Sequence, residues 1–276
     1  MRFLLSRRWA LFALTVVVLA YGCWWLGQWQ FHRLHARETT NAQTRANLAA
    51  APAPVADVLA PAREARTRDE WRRVTATGRY LPEQNVVIRY QTRDGASGVD
   101  VVTPLRTSTG PLLLVDRGWL QTDNVGADQV HAPAPPAGTV TVVGWVRVDA
   151  SGDAATVTDR SARAISSVAI AQSLDRTLDA PVYGGFVDAE SETPAPATPL
   201  VHAEQPDLGN GPHFFYGLQW WFFGLLAVFG FGYLAYDERR KLRAPLDPGP
   251  DDPGLQRPQR PAVDREHRAA DEARSG

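Results

Sequence analysis

The chain of 276 residues has a single cysteine, Cys23. That excludes an internal disulfide and every paired-cysteine device, redox or metal-binding. Lysine is almost missing as well: Lys241 is the lone one, and arginine carries nearly all the positive charge. Such a bias speaks of a GC-rich genome rather than of function. No sign of charge dominates, because the formal net charge is −1. A nucleic-acid partner, which would call for a basic face, is therefore not expected. The GxSxG elbow, the HExxH helix, the phosphate loop and the GxGxxG turn are all absent. Asp94, Asp100 and Asp116 show no spacing that pairs two of them as acid and base. Each reads as a turn or surface carboxylate, and no enzyme is expected. There is no internal repeat.

Charge is missing altogether from two long runs, Trp9 to Phe31 and Phe214 to Tyr236. Each has about the 20 residues that cross a bilayer core as a helix. Trp9, Trp29, Tyr216 and Tyr233 stand near their ends, as an interfacial aromatic belt requires. A cleaved signal peptide fits the first run poorly, since it is long and closes on Trp24-Trp25-Leu26-Gly27 without an A-x-A site. The tetrad Ala20-Tyr21-Gly22-Cys23 approaches a lipoprotein cleavage site, but the leucine lies one place too early. Arg2, Arg7 and Arg8 precede the first run; Arg239, Arg240, Lys241 and Arg243 follow the second. Between Arg176 and the second run there is no lysine or arginine. The positive-inside rule then places both termini in the cytoplasm and the large loop outside. Arg33 and Arg37, just beyond the first run, weaken this asymmetry without reversing it.

Between the runs the texture is that of short strands. Trp71 to Tyr80 alternates β-branched residues, and Leu81-Pro82-Glu83-Gln84-Asn85 is a turn. Val86–Gln91 follows, and Arg93-Asp94-Gly95 supplies hairpin chemistry. Further strands are expected at Val99–Leu105, Leu112–Leu120, Val140–Val148 and Pro181–Val187, with a proline-rich loop from His131 to Gly138 and a short amphipathic helix from Ala164 to Leu178. The fold class is thus two transmembrane α-helices flanking a β-rich α+β extracytoplasmic domain of about 130 residues. The expected plan is a cytoplasmic N-terminus (1–8), a first span (9–31) and a helical extension and linker (32–67). The β-rich domain (68–205), a linker (206–213), the second span (214–236) and a disordered cytoplasmic tail (237–276) complete it. The tail (PLDPGPDDPGLQRPQRP) has no apolar period.

Candidate chemistry gathers at the outer ends of the two spans. Trp25, Trp29, Arg33 and Arg37 follow at i, i+4 spacing and so share a helix face. His213, Tyr216 and Trp220 share a face of the second span. Antiparallel spans would bring both groups to one depth. Imidazole ligates haem iron, and guanidinium pairs with propionate carboxylates, so aromatics, His213, Arg33 and Arg37 form a cradle suited to haem. Interfacial tryptophans with snorkelling arginines, as in any membrane anchor, account for the same residues. Gln28 and Gln219 have the polarity to bond across the helix pair, a contribution on the order of 1 kcal/mol. His32 and His35 read as solvated, and His131 and His202 as loop residues.

The stretch Leu26-Gly27-Gln28-Trp29-Gln30-Phe31-His32-Arg33-Leu34 resembles the LGxWQxxRL signature of the surfeit locus protein 1 family. Thr103-Pro104-Leu105 and Val115-Asp116-Arg117-Gly118-Trp119 resemble its TPL and V-[ND]-RGW elements. His213 to Trp220 resembles its H-L-x-Y-A-x-Q-W motif at the start of the second span. Order and topology agree over roughly residues 9 to 240. Three positions depart: Phe214 stands for leucine, Gly217 for alanine, and Arg37 for a lysine usual after the first motif. Gly217 is expected to loosen the start of the second helix.

The resemblance implies an assembly factor for haem–copper cytochrome c oxidase that assists haem a insertion into the catalytic subunit. It implies His213 as the iron-binding position, with Trp29, Arg33, Arg37, Tyr216 and Trp220 around the cofactor. It also implies a bacterial cell-membrane protein in contact with that subunit, haem a synthase and the lipid bilayer. Gln28, Gln219, Arg117 and Trp119 are expected to serve interaction, and Gly118 and Trp119 also turn and packing. A scaffold that stabilises oxidase subunits without holding a cofactor is the competing account.

Overall fold

A computed structural model of the chain describes residues 6–123, 127–174 and 180–242. In chain order these form α1 (Arg7–Ala49), β1 (Ala53–Pro54), α2 (Val55–Val58), β2 (Arg73–Tyr80), β3 (Val86–Arg93), β4 (Ala96–Thr107), β5 (Leu112–Gln121), β6 (Val140–Arg147), β7 (Ser161–Ala162), α3 (Ser167–Ser173), β8 (Val182–Thr193) and α4 (His213–Lys241). They divide into two compact units, one spanning residues 25–220 and the other comprising 6–24 with 221–242.

The smaller unit holds apolar helix. α1 and α4 are each long and apolar enough to cross a membrane. No proline interrupts α1 before Pro52, and α4 starts directly after Gly211-Pro212, where the missing proline N–H costs nothing. Trp9 and Phe12 pack edge-on or tilted against Phe231, with ring centroids 5.8 Å and 5.3 Å apart. Gly224 sits against Cys23, close enough that a methyl there would meet the cysteine Cβ at 3.2 Å.

In the larger unit, β2, β6, β8, β5 and β4 pair in that order. The ring closes because β4 also pairs with β2, through Gly78↔Thr107, Arg79↔Arg106 and Tyr80↔Leu105. Every contact in the ring is antiparallel except β5 with β8. Closure needs Gly78, since a Cβ there would lie 2.3 Å from the Arg106 carbonyl oxygen. β3 extends β4 on the same edge and carries β7, while β1 adds to β2.

Strand alternation sorts the apolar residues onto two faces. Inside the ring Val74, Leu105, Leu113, Val115, Val142, Val146 and Val187 pack together. Outside it Val86, Ile88, Leu112, Leu114 and Phe186 pack against Ile165, Ile170 and Leu174. β5 is therefore buried on both faces, which its run LLLV anticipates. The turn at Asp94-Gly95 has φ of 50° and 77°, the paired positive values of the expected hairpin.

Four expectations change. Residues 50–67 are not merely a linker, because β1 joins the sheet and Val55 and Leu59 enter the ring's core. The extension of α1 is longer than foreseen and reaches Ala49. The helix expected from Ala164 starts at Ser167, behind a Ser166 hydroxyl that accepts from the Ala169 N–H; its expected end at Leu178 lies outside the described residues, as does the tail past 242. β8 runs six residues beyond Val187, to Thr193. Its added residues include Glu190 and Glu192, whose partners lie on other strands.

Those partners are arginines. Arg117 Nε lies 3.2 Å from Glu192 Oε1, and both side chains are inside the ring. Arg73 grips Glu190 with two donors at 3.0 Å and 3.1 Å. Arg117 and Trp119, expected among the partner-contacting residues, are thus occupied within the domain. Trp119 donates its indole N–H to the Gln91 carbonyl at 3.1 Å and its backbone pairs with Val201. Gly118, at φ 128°, lets that pairing happen, since a Cβ would lie 2.6 Å from the Val201 oxygen.

Candidate functional site

Two polar assemblies stand out. The first is carboxylate: Asp100 on β4, Asp116 on β5 and Asp188 on β8 are all buried, against the surface placement expected for the first two. Asp116 is opposite Asp188 in the β5–β8 register. Arg93 pairs with Asp100 at 3.0 Å and Arg147 with Asp188 at 2.9 Å, and Asp116 Oδ1 accepts the Gly118 N–H at 3.0 Å. Burial pushes the Asp116 carboxyl well up, helped by the charges of Asp100 and Asp188. Burial also raises Asp188, to about 6, against the opposing pull of Arg147. Arg147 in turn stacks 4.1 Å over the Trp71 ring and meets Glu70. Every member is held by the domain's own groups, so the assembly reads as structural.

The second assembly is where α1 meets the start of α4. Gly27, Leu34 and Asn41 are the buried members of α1 here, spaced by seven, so one stripe of the helix faces inward. Phe31 on that stripe packs edge-on to Phe214 at 6.1 Å. Gly217 is buried beside it, where a Cβ would come 2.7 Å from the Phe31 ring. The glycine therefore seats an aromatic ring, and the loosening expected of it is not what the packing shows.

Farther along the stripe, Arg37, Asn41 and Arg45 hold the chain that leads into α4. Arg37 Nε donates to the Gly209 carbonyl at 2.6 Å, Asn41 Nδ2 to Leu208 at 3.0 Å and Arg45 to Leu208 at 2.8 Å. Arg37 also approaches Asp207 at 3.8 Å. Sequence reading missed Asn41, Arg45 and Asp207; the i, i+4, i+8 spacing of Arg37, Asn41 and Arg45 was visible, but their carbonyl partners were not.

His213 stands at the end of this segment, half-buried. Its Nδ1 is 2.9 Å from Gln30 Oε1, a partner the sequence did not suggest. Among the described residues nothing bonds Nε2. Gly211 lies alongside: a Cβ on it would be 3.8 Å from His213 Nε2 and 3.9 Å from Arg37 Nη1. Of the expected cradle, the structure brings Arg37 near His213 but engages it with Gly209. Arg33 stacks 5.4 Å over Trp29 on an exposed face. Tyr216 is also exposed, and Trp220 half-buried. Among the described residues, no three His, Cys, Asp or Glu side chains converge as a metal site.

The expected bond between Gln28 and Gln219 is not formed among the described residues. Two residues from Gly217 is about 200° around a helix, so Gln219 points away from α1 and is exposed. His35 meets Glu38 at 3.2 Å on the surface, and His131 sits beside the Gln129 carbonyl.

The SURF1 family profile matches residues 17–225, which takes in most of α1, the sheet domain and the start of α4. An uncharacterized SURF1-like protein of Mycobacterium tuberculosis is 33% identical over 258 residues, covering 91% of this chain and 93% of that protein. The cytochrome oxidase assembly protein SHY1 of Saccharomyces cerevisiae is 29% identical over 105 residues, 38% of this chain and 26% of its own. A SURF1-like protein of Rickettsia felis is 30% identical over 102 residues, 36% of this chain and 42% of its own. The chain belongs to the SURF1 family.

Proposed function

We propose that the protein is a membrane-anchored assembly factor for cytochrome c oxidase, holding haem a as cargo on His213 for the catalytic subunit. Family membership and the yeast relative, a cytochrome oxidase assembly protein, support the assembly role. The observation that carries the cargo reading is His213 itself: one ring nitrogen is engaged by Gln30 and the other has no partner among the described residues. Exposed Phe214 and Tyr216, just after His213 in sequence, and exposed Trp29, next to Gln30, suit the apolar body of a porphyrin. Arg33, stacked over Trp29, is the guanidinium proposed to meet a propionate, whereas Arg37 bonds the Gly209 carbonyl. The cargo supplies an iron that accepts one lone pair; holding it by a single side chain suits release. Haem a synthase is the source such cargo needs. The arginine asymmetry around the spans supports cytoplasmic termini and an extracytoplasmic sheet domain in a bacterial cell membrane.

A cofactor-free scaffold is favoured by one observation. Gln219 exposes a carboxamide within the uncharged apolar run of α4, where an interhelical hydrogen bond to a partner subunit would satisfy it. The test is complementation in a host that makes haem a and lacks its own SURF1-family protein. Under the cargo reading His213→Ala restores oxidase subunits with depleted haem a, and Gln219→Leu retains activity. The reverse pattern, full haem a with His213→Ala and lost subunit association with Gln219→Leu, identifies the scaffold.

A further inference from the structure

We propose that Gln30 is the positioning residue of His213: its side-chain oxygen accepts the Nδ1–H and fixes the tautomer whose Nε2 lone pair is free. The inference rests on the cargo reading for its purpose, but not for its geometry. The two groups come from opposite ends of the larger unit, 183 residues apart, and meet at 2.9 Å. A neutral imidazole carries one proton, so whichever nitrogen donates decides which one can ligate. Imidazoles that bind metals donate their second N–H to an oxygen in the surrounding shell, which orients the ring and makes the ligating nitrogen more basic.

Two further features favour the assignment. Arg37 Nη1 and His213 Nε2 flank the same point above Gly211, at 3.9 Å and 3.8 Å. A permanent cation on that side favours a lone pair there over an N–H. The backbone before the ring is also held: Arg37, Asn41 and Arg45 fix the carbonyls of Leu208 and Gly209, and Tyr216 N–H bonds the Pro212 carbonyl at 3.1 Å. With both the backbone and one ring nitrogen held, the free nitrogen has a set direction.

The test uses full-length protein in detergent, labelled with ¹⁵N-histidine, at pH 8. The His213 signals are assigned by their loss in His213→Ala. Nδ1 is expected to carry the proton in the wild type and in Gln30→Glu, which keeps the acceptor. In Gln30→Leu the proton should move to Nε2, the form an unconstrained neutral imidazole prefers. Hemin titrations of the same samples should show affinity reduced about tenfold or more in Gln30→Leu and retained in Gln30→Glu. An Nε2–H signal in the wild type, or an unchanged tautomer in Gln30→Leu, overturns the proposal. If Gln30→Leu does not fold, the wild-type and Gln30→Glu tautomers decide it alone. Should His213→Ala bind hemin as the wild type does while the tautomers behave as expected, the ligand reading fails and the positioning by Gln30 stands.

Discussion

Arg117 Nε lies 3.2 Å from Glu192 Oε1, with the two side chains 1% and 3% exposed. Tyr80 donates its hydroxyl to the same oxygen at 2.5 Å, and Arg117 Nη1 donates to the Pro133 carbonyl at 2.8 Å. One buried guanidinium therefore joins β5, β8, β2 and the proline-rich loop.

Removing one partner of such a pair leaves an uncompensated charge in low dielectric. Arg117→Met should destabilise the full-length protein by roughly 3–5 kcal/mol, read as lost cooperative thermal unfolding in detergent. Adding Glu192→Met should recover much of the loss, because the stranded carboxylate goes with it. A single variant that melts like the wild type would show that the pair contributes little.

The aspartate trio gives a pH dependence of the opposite sign to ordinary acid unfolding. Asp188 is raised from 3.8 to about 6, and Asp116 lies well above its ordinary value. Between pH 4 and pH 6 the folded state thus binds more protons than the unfolded one, and stability falls as pH rises. The melting temperature should be higher at pH 5 than at pH 7.5. Asp116→Asn keeps an oxygen for the Gly118 N–H and removes the central charge. It should raise stability at pH 7.5 and flatten the slope; a wild-type profile that rises steadily across this window contradicts the account.

Apolar periodicity made both helices and most strands legible, because burial on one or two faces leaves a regular trace in sequence. β5 is the clearest case, with every residue of LLLV buried. What sequence could not reveal were polar residues buried by distant partners. Glu192 and Asp188 sit in a run, DAESET, that looks like solvent-facing strand, and only Arg117 and Arg147 from other strands explain them. The same holds at the helix junction. His213 stood out because histidine beside an apolar run is conspicuous, but Gln30 hides among the other polar residues of α1, and the pairing spans 183 positions. Arg37 was singled out for a haem cradle with His213, and its engagement with Gly209 depends on a loop conformation that no local pattern encodes.

Gly217 and Phe31 offer a test of the helix contact. A Cβ at 217 would press to 2.7 Å from the ring, so Gly217→Val should cost about 1–3 kcal/mol through overpacking. Phe31→Ala introduced with it should restore part of the loss, since the ring is what the valine meets. Thermal unfolding of the two single variants and the double variant measures the coupling. Strict additivity would mean that the residues do not touch.

The central claim is that the free nitrogen of His213 takes haem iron. Its most direct test is the visible spectrum of full-length wild type and His213→Ala, expressed in haem a-producing cells and purified in detergent. The account predicts a haem signal in the wild type that is lost in the variant, while far-ultraviolet circular dichroism shows both equally folded. Equal haem spectra in the two proteins, or none in either, would contradict it.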